Sequence, residues 1–345
     1  MFEAVVVLCL SLAGETCRDQ LLPGYEAADV DACRARLESR PPKLPEELFA
    51  RDGPLCRHGG ESLEMVEVSP GVFVHEGRVE TPDGSNRGDV ANLGFVVGEN
   101  SVAAIDTGSA RWVGEALWRS VRERTDKPLS HVILTHVHPD HSLGASPLAE
   151  SGALVVGHAS LPRALADRRG NYLDSMSLLI GEAAFLGTEI PQVDVAVESE
   201  MEIDIGGREL RLRAWPAAHS NTDLTVLDVE SGTLFAGDLV FHRHAPALDG
   251  GLAGWRRALD ELAGMKLSGL VPGHGDPLLD WPEGASDLRR YLHVLESDAR
   301  AAIAEGLRIG DAIGEIAAEE AEKWELFREF NPRNATVAYT ELEWE

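Results

Sequence analysis

The sequence predicts an α/β protein whose centre is a four-layer αβ/βα sandwich. A small Cys-containing module (residues 1–60) should precede it, and a helical extension (residues 284–345) should follow. Three observations carry this expectation. Short β-branched runs separated by Gly and Asp begin near Glu64, a second β-rich half begins near Val193, and amphipathic stretches that read as covering helices lie between the runs.

In order along the chain, the apolar run Ala4–Leu12 reads as a buried strand, because it is too short to span a bilayer and Glu3 stands where an export signal would carry a basic residue. A helix is expected over Ala28–Ser39, followed by the proline-rich connector Arg40–Pro45. In the first β-rich half, Met65–Val68, Val72–His75, Leu93–Val97, Val102–Ile105, His131–Leu134 and Ala153–Val156 read as strands. Helices are expected over Ala110–Arg124, Leu161–Arg169 and Ser175–Leu186. In the second half, strands are expected at Met201–Ile205, Glu209–Ala214, Leu224–Asp228, Thr233–Phe235 and Gly269–Val271, with a helix over Trp255–Leu262.

Charge narrows the function. Lys and Arg number 31 against 58 Asp and Glu, a net charge of −27 that repels phosphate backbones and anionic lipids. A small-molecule substrate is expected, with no nucleic acid and no membrane insertion, and the oligomeric state is not legible. All four cysteines (Cys9, Cys17, Cys33 and Cys56) fall in the first 56 residues, as in a disulfide-stapled segment of an oxidising compartment. Four cysteines admit three pairings, and spacing selects none. A periplasmic location is expected, the export signal lying outside these residues, with the cytoplasm as the alternative.

The chemistry centres on His136-x-His138-x-Asp140-His141, which follows a strand and offers three imidazoles and a carboxylate within six residues. Zinc favours these ligand types, and chance produces such a run at roughly one in millions of positions. Three later residues sit on loops after strands and can complete a site: His219, Asp238 in Gly237-Asp238, and His274 in Pro272-Gly273-His274-Gly275.

In that order these residues closely resemble the metallo-β-lactamase superfamily, over roughly residues 65–280. The resemblance implies the superfamily's sandwich fold and a metallohydrolase. It also implies two Zn2+, one held by His136, His138 and His219, the other by Asp140, His141 and His274, with Asp238 between them. A metal-bridging hydroxide would attack an ester, thioester or related carbonyl compound, with Asp140 and Asp238 as the catalytic carboxylates. Aspartate at 238 departs from subclass B1 lactamases, which carry cysteine at the matching position, and argues against antibiotic hydrolysis. The opening Phe2-Glu-Ala-Val-Val…Cys9…Cys17-Arg18…Leu21-Leu-Pro-Gly-Tyr25-Glu and the final Asn334-Ala-Thr-Val-Ala-Tyr-Thr-Glu-Leu-Glu-Trp-Glu345 also resemble quinoprotein relay system zinc metallohydrolases (SoxH-like). That implies association with a quinoprotein dehydrogenase or sulfur-oxidation system.

Two alternatives stand beside the hydrolase. One is a persulfide (sulfur) dioxygenase, which shares the motif but uses a single iron; the other is a non-catalytic metal-binding accessory of a periplasmic quinoprotein or sulfur-oxidation system. Among secondary residues, Asp106 is expected to orient the metal loop or an imidazole, or to form a turn, and Asp223 to partner His219. His242, Arg243 and His244 either line the cleft or form a solvated turn. His158 lies near the site or starts a helix. Tyr172, Met176 and Leu179 have helical spacing that favours core packing over a substrate lid.

Overall fold

The computed structural model describes residues 1–11, 16–44 and 48–345. The ends of two expected segments, Leu12 and Pro45, lie outside the described residues. The N-terminal module is a small sheet with one helix. Its elements are β1 (Phe2–Cys9), β2 (Cys17–Ala27), α1 (Val30–Ser39), β3 (Phe49–Ala50) and β4 (Leu55–His58). Apolar residues of β1 (Ala4, Val6 and Leu8) pack with Leu22, Tyr25 and the buried Cys33 in a core of their own. Cys9 and Cys17 face each other across the β1–β2 ladder and are bonded, and Cys33 on α1 is bonded to Cys56 on β4. The structure thus selects one of the three pairings. The long strand β2 went unforeseen because Pro23 and Gly24 interrupt it.

The first large sheet runs in the order β11-β10-β9-β8-β7-β6-β5. Its strands are β5 (Val66–Ser69), β6 (Val72–His75), β7 (Leu93–Val97), β8 (Val102–Ile105), β9 (Leu129–Ile133), β10 (Leu154–His158) and β11 (Val195–Val197). Strands β8 to β11 are parallel, and β8 is buried throughout, so it reads as an unbroken apolar run. Connecting helices are α2 (Arg111–Arg124), α3 (Pro139–Ser142), α4 (Ser146–Glu150), α5 (Leu161–Ile180) and α6 (Glu182–Phe185). The two helices expected between Leu161 and Leu186 are one twenty-residue helix that passes through Gly170 and ends at Gly181, where φ is 91°. Val193 does not open the second half either, since β11 pairs with β10 and completes the first sheet.

The second sheet has the order β12-β13-β14-β15-β16. It comprises β12 (Glu200–Asp204), β13 (Glu209–Ala214), β14 (Leu224–Asp228), β15 (Thr233–Phe241) and β16 (Gly269–His274). Strand β15 was expected to stop at Phe235, yet nine consecutive buried residues run through Gly237 and Asp238. Helices α7 (Leu252–Ala263), α8 (Ser286–Ala304), α9 (Ile309–Ala312) and α10 (Phe327–Glu343) follow.

Burial shows the four layers. Val74, Ile105 and Ile133 of the first sheet meet Leu212, Val226 and Phe235 of the second in a shared core. The outer face of the first sheet is covered by α2, through Val113, Leu117 and Val121. The outer face of the second is covered by α7, α8 and α10, through Trp255, Leu292 and Ala338. Polar residues of α2 make a buried i, i+4, i+8 stripe, Arg111, Glu115 and Arg119, that meets the N-terminal module. Arg119 pairs with the fully buried Glu3 (Nε–Oε2 2.7 Å), and Arg18 pairs with Glu115. Two desolvated charges need this mutual satisfaction.

Candidate metal centre

Strand ends from both sheets meet at one edge of the sandwich. Past the end of β9 come Thr135, His136 and His138, and Pro139 then opens α3, which carries Asp140 and His141. The other sheet delivers His219 from the loop after β13, Asp238 from within β15 and His274 from the end of β16. All seven residues singled out from the sequence converge.

They fall into two groups. His136 Nε2 and His219 Nε2 lie 3.0 and 2.9 Å from His138 Nδ1. His141 Nε2, His274 Nε2 and Asp140 Oδ2 form a second triangle with sides of 3.4, 3.4 and 3.7 Å. Asp238 stands between them and divides its carboxylate. Oδ2 is 3.6 and 3.4 Å from His136 Nε2 and His219 Nε2, while Oδ1 is 3.2 and 3.4 Å from His141 Nε2 and His274 Nε2.

Glycines permit this crowding. A Cβ on Gly273 would come within 1.9 Å of Asp238 Oδ1, so the glycine before His274 is what lets β16 lie against the carboxylate. Gly237 has a φ of 51° and turns its Cα face to Thr135, where a Cβ would lie 2.6 Å from the hydroxyl oxygen.

Each imidazole is oriented through its other nitrogen. His141 Nδ1 is 2.8 Å from Asp106 Oδ2, and His138 Nε2 is 3.4 Å from Asp249 Oδ2. His219 Nδ1 donates to the Ala247 carbonyl (2.6 Å) and His274 Nδ1 to the Val90 carbonyl (2.8 Å), while His136 Nδ1 meets Thr135 Oγ1 at 3.0 Å. The inward nitrogens are therefore the lone-pair bearers. Asp106, in the left-handed region with φ 57°, also accepts from Thr135 N (2.8 Å) and Thr135 Oγ1 (2.7 Å). It performs both roles expected of it, holding the loop and a ring.

Titration follows the same division. Burial lowers His136 well below the ordinary imidazole value and His219 to about 3. Burial acts in the same sense on His141, but Asp238, Asp106 and Asp140 outweigh it and hold that ring well above the ordinary value. His274 is raised as well, Asp238 and Asp140 overcoming its burial. Asp238, which burial alone would raise, is driven well below the carboxylate range by the surrounding imidazoles.

The donor set suits a metal. Ligand atoms in each group lie within 4.8 Å of one another. Four-coordinate zinc with bonds of about 2.0–2.1 Å needs donors roughly 3.3–3.4 Å apart. Asp238 Oδ1 is moreover buried with no hydrogen-bond partner, which is costly for a carboxylate unless a cation satisfies it.

Beside the cage lies a cleft of about 190 Å³, lined by Val90, Asp140, Phe241, His244, Phe330 and Arg333 among others. His244 is buried, with its ring 4.7 Å from that of His274 and 4.8 Å from that of Phe330, and burial lowers its pKa to about 3. Its neighbours took the other course: Arg243 is an exposed turn residue pairing with Glu325, and His242 faces Asp276. Asp223 does not reach His219. It accepts from Ser220 N and Oγ, and its burial raises its pKa to about 7. His158 accepts from Ser160 N at the start of α5, a helix-start role. Of the α5 residues, Met176 is buried and Tyr172 packs beside it, whereas Leu179 is exposed.

Four contributors were missed. Asp249 is one. Asn92 donates from Nδ2 to the Pro272 and Gly275 carbonyls (both 3.0 Å) and holds the turn that carries His274. Phe330 and Arg333 come from α10, far along the chain. A heptad-like spacing could not reveal them, because their role depends on where α10 docks.

Two sheets back to back, with His and Asp side chains gathered at their shared edge, define a metal-binding α/β sandwich. Residues 86–274 match the family model of the Metallo-beta-lactamase superfamily, and the chain belongs to that family. It is 28% identical over 202 residues to thioesterase pkgB of Emericella nidulans, an alignment covering 57% of this chain. The chain spans about half the length of that curated relative (49%). Among solved structures it is similar to a metallo-beta-lactamase from Pontibacter korlensis, with a TM-score of 0.54, 21% identity, and coverage of 67% of this chain and 99% of that one. It is also similar to the inverting sec-alkylsulfatase Pisa1 from Pseudomonas sp., with a TM-score of 0.59, 16% identity, and coverage of 81% and 50%. At these identities the structures speak for the fold. Family and site together make the protein a metallo-β-lactamase-fold protein whose clustered His and Asp side chains suit divalent metal.

Proposed function

We propose that the protein is a two-metal hydrolase of small thioesters or related esters, with residues 61–283 as its catalytic unit. The observation that carries this reading is the divided carboxylate of Asp238, one oxygen toward each group of ligands. His136, His138 and His219 would hold one ion, Asp140, His141 and His274 the other, and Asp238 would bridge them. Zinc is the ion these ligand types favour. Bound there, the metals supply Lewis-acid polarisation of a carbonyl and of the attacking water.

The chain's own residues do the rest. The apolar walls Phe241, Ala247 and Phe330 exclude bulk water and strengthen every charge interaction inside the cleft. Asp140, partly open to the cleft, accepts the proton of the attacking water and can return it to the departing thiolate or alkoxide. A thioester suits the site because a thiolate leaves with little protonation, and the thioesterase relative supports this choice. The disulfides support an oxidising compartment such as the periplasm, and the resemblance of the chain ends supports association with a quinoprotein system.

Metal content measured on protein purified without added metal, beside rates on matched thioesters, oxygen esters and a β-lactam, tests the reading. About two zinc ions per chain with the thioester fastest is expected. One iron with no zinc would overturn it.

A further inference from the structure

We infer that the buried pair His75–Asp89 positions His274 from outside the cage, by fixing the backbone carbonyl against which that imidazole is aligned. This inference rests on the two-metal reading above.

The two imidazoles of the second group are held by different kinds of partner. His141 leans on a side-chain carboxylate, Asp106. His274 leans on a backbone oxygen, the Val90 carbonyl (2.8 Å from Nδ1), its one outer contact among the described hydrogen bonds. Val90 belongs to the connection between β6 and β7, residues 76–92. A carbonyl in so long a loop is placed only as well as the loop itself, and a working site tolerates an error of about 0.5 Å. The loop therefore needs a fixed point beside Val90.

His75, the last residue of β6, supplies it. Its ring is buried (7% exposed), with Nδ1 2.9 Å from the Glu64 carbonyl and Nε2 2.8 Å from Asp89 Oδ1. A carbonyl and a carboxylate only accept, so both ring nitrogens donate and the ring is an imidazolium. Burial acts against that charge, but the hydrogen bond and charge of Asp89 outweigh it and raise the pKa of His75. Asp89 directly precedes Val90, so the pair pins the chain one residue from the carbonyl that His274 uses.

Two further contacts clamp the same stretch to the end of β6. Arg78 N donates to the Asp89 carbonyl, and Gly77 N donates to Asn92 Oδ1, both at 3.1 Å. A Cβ on Gly77 would lie 2.4 Å from the backbone N and O of Ala91, so a glycine is needed for this close approach. His75 shares no hydrogen bond or ion pair with the seven proposed ligands among those described, and it reaches the cage through Asp89 and Val90. His136, His138 and His219 take their outer contacts from Thr135, Asp249 and Ala247, none of which lies in this loop. The effect is therefore confined to the second group.

The test measures zinc affinity by chelator competition on the full chain, with His274→Ala marking which ion belongs to the second group. His75→Leu and Asp89→Ala should each lower affinity for that ion about tenfold and leave the other ion unchanged. The double variant should be no weaker than either single one, because the two side chains act as a unit. His75→Gln keeps a donor toward Asp89 and should recover part of the loss. Arg208→Gln breaks a buried pair with Asp228 (2.6 Å) beside Gly71, at the other end of β6, and should lower Tm without moving either affinity. Equal losses at both ions in His75→Leu, or no loss at either, overturn the inference while the two-metal reading stands. If wild type binds a single ion, or His274→Ala binds as many as wild type, the two-metal reading fails. The inference is then decided in zinc-free protein by NMR, from solvent exchange of the His274 Nδ1 proton. Faster exchange in His75→Leu than in wild type supports it, and equal rates overturn it.

Discussion

The two groups of ligands that meet at Asp238 use the same residue types in different electrical settings. Around His136, His138 and His219 the outer contacts are a hydroxyl, a carbonyl and one partly solvated carboxylate, and burial depresses His136 and His219. Around Asp140, His141 and His274 a carboxylate is part of the group and another, Asp106, presses on His141 from behind, so both imidazoles are raised. Without metal, His141 and His274 therefore hold a proton more tightly than His136 and His219 do. Shared geometry thus conceals unequal sites, and each expectation below probes that inequality.

The largest effect belongs to the shared member. Asp238→Asn should weaken both groups at once and lower kcat/KM on the order of 1000-fold, since several kcal/mol of charge stabilisation disappear. Metal analysis of the same variant should show fewer ions bound per chain. A variant that kept two ions and full rate would show that the divided carboxylate is incidental.

Acidification should separate the groups next. A raised imidazole pKa means that protons compete with metal from higher pH downward. Affinity at the second group is therefore complete above the pKa values of His141 and His274 and declines as pH falls through them, about tenfold per pH unit for each proton displaced. At the first group, protons compete with metal for the depressed His136 and His219 only at lower pH. Titration with a chromophoric chelator at successive pH values should then show one ion released well before the other. Simultaneous release would contradict the contrast.

Asp106→Asn comes third, with metal affinity at the second group falling about 10–100-fold and the first group little changed. Smallest is Asp249→Asn. Its contact with His138 is longer (3.4 against 2.8 Å) and less buried, so a loss of about tenfold or less at the first group is expected in the same chelator assay.

Much of this was legible beforehand, for reasons that can be named. The candidate ligands were readable because metals draw on a few residue types (His, Cys, Asp and Glu), and because four of the candidates lie in one six-residue run. Strands Val72–His75, Leu93–Val97 and Val102–Ile105 were readable to the residue, since they are short, β-branched and bounded by Gly, Pro or Asn. Strand β15 was cut short at Phe235 because Gly237 mimics a turn, when its role is to let Thr135 approach. Asp223 was paired with His219 by proximity in the chain, but its carboxylate closes its own loop instead. Asp249, Asn92 and Phe330 could not be found by pattern at all. Each is an ordinary residue whose meaning comes from a contact across 100 or more positions, or from the docking of a distant helix.

The position of α10 also bears on how the protein is made. The last proposed ligand, His274, leaves the ribosome 59 residues before Arg333, an interval of about 3–12 s at ordinary synthesis rates. Over that interval the metal ligands are all synthesised, while the outer face of the second sheet still waits for α8 and α10. The cleft wall formed by Phe330 and Arg333 is thus the last part of the site to be synthesised.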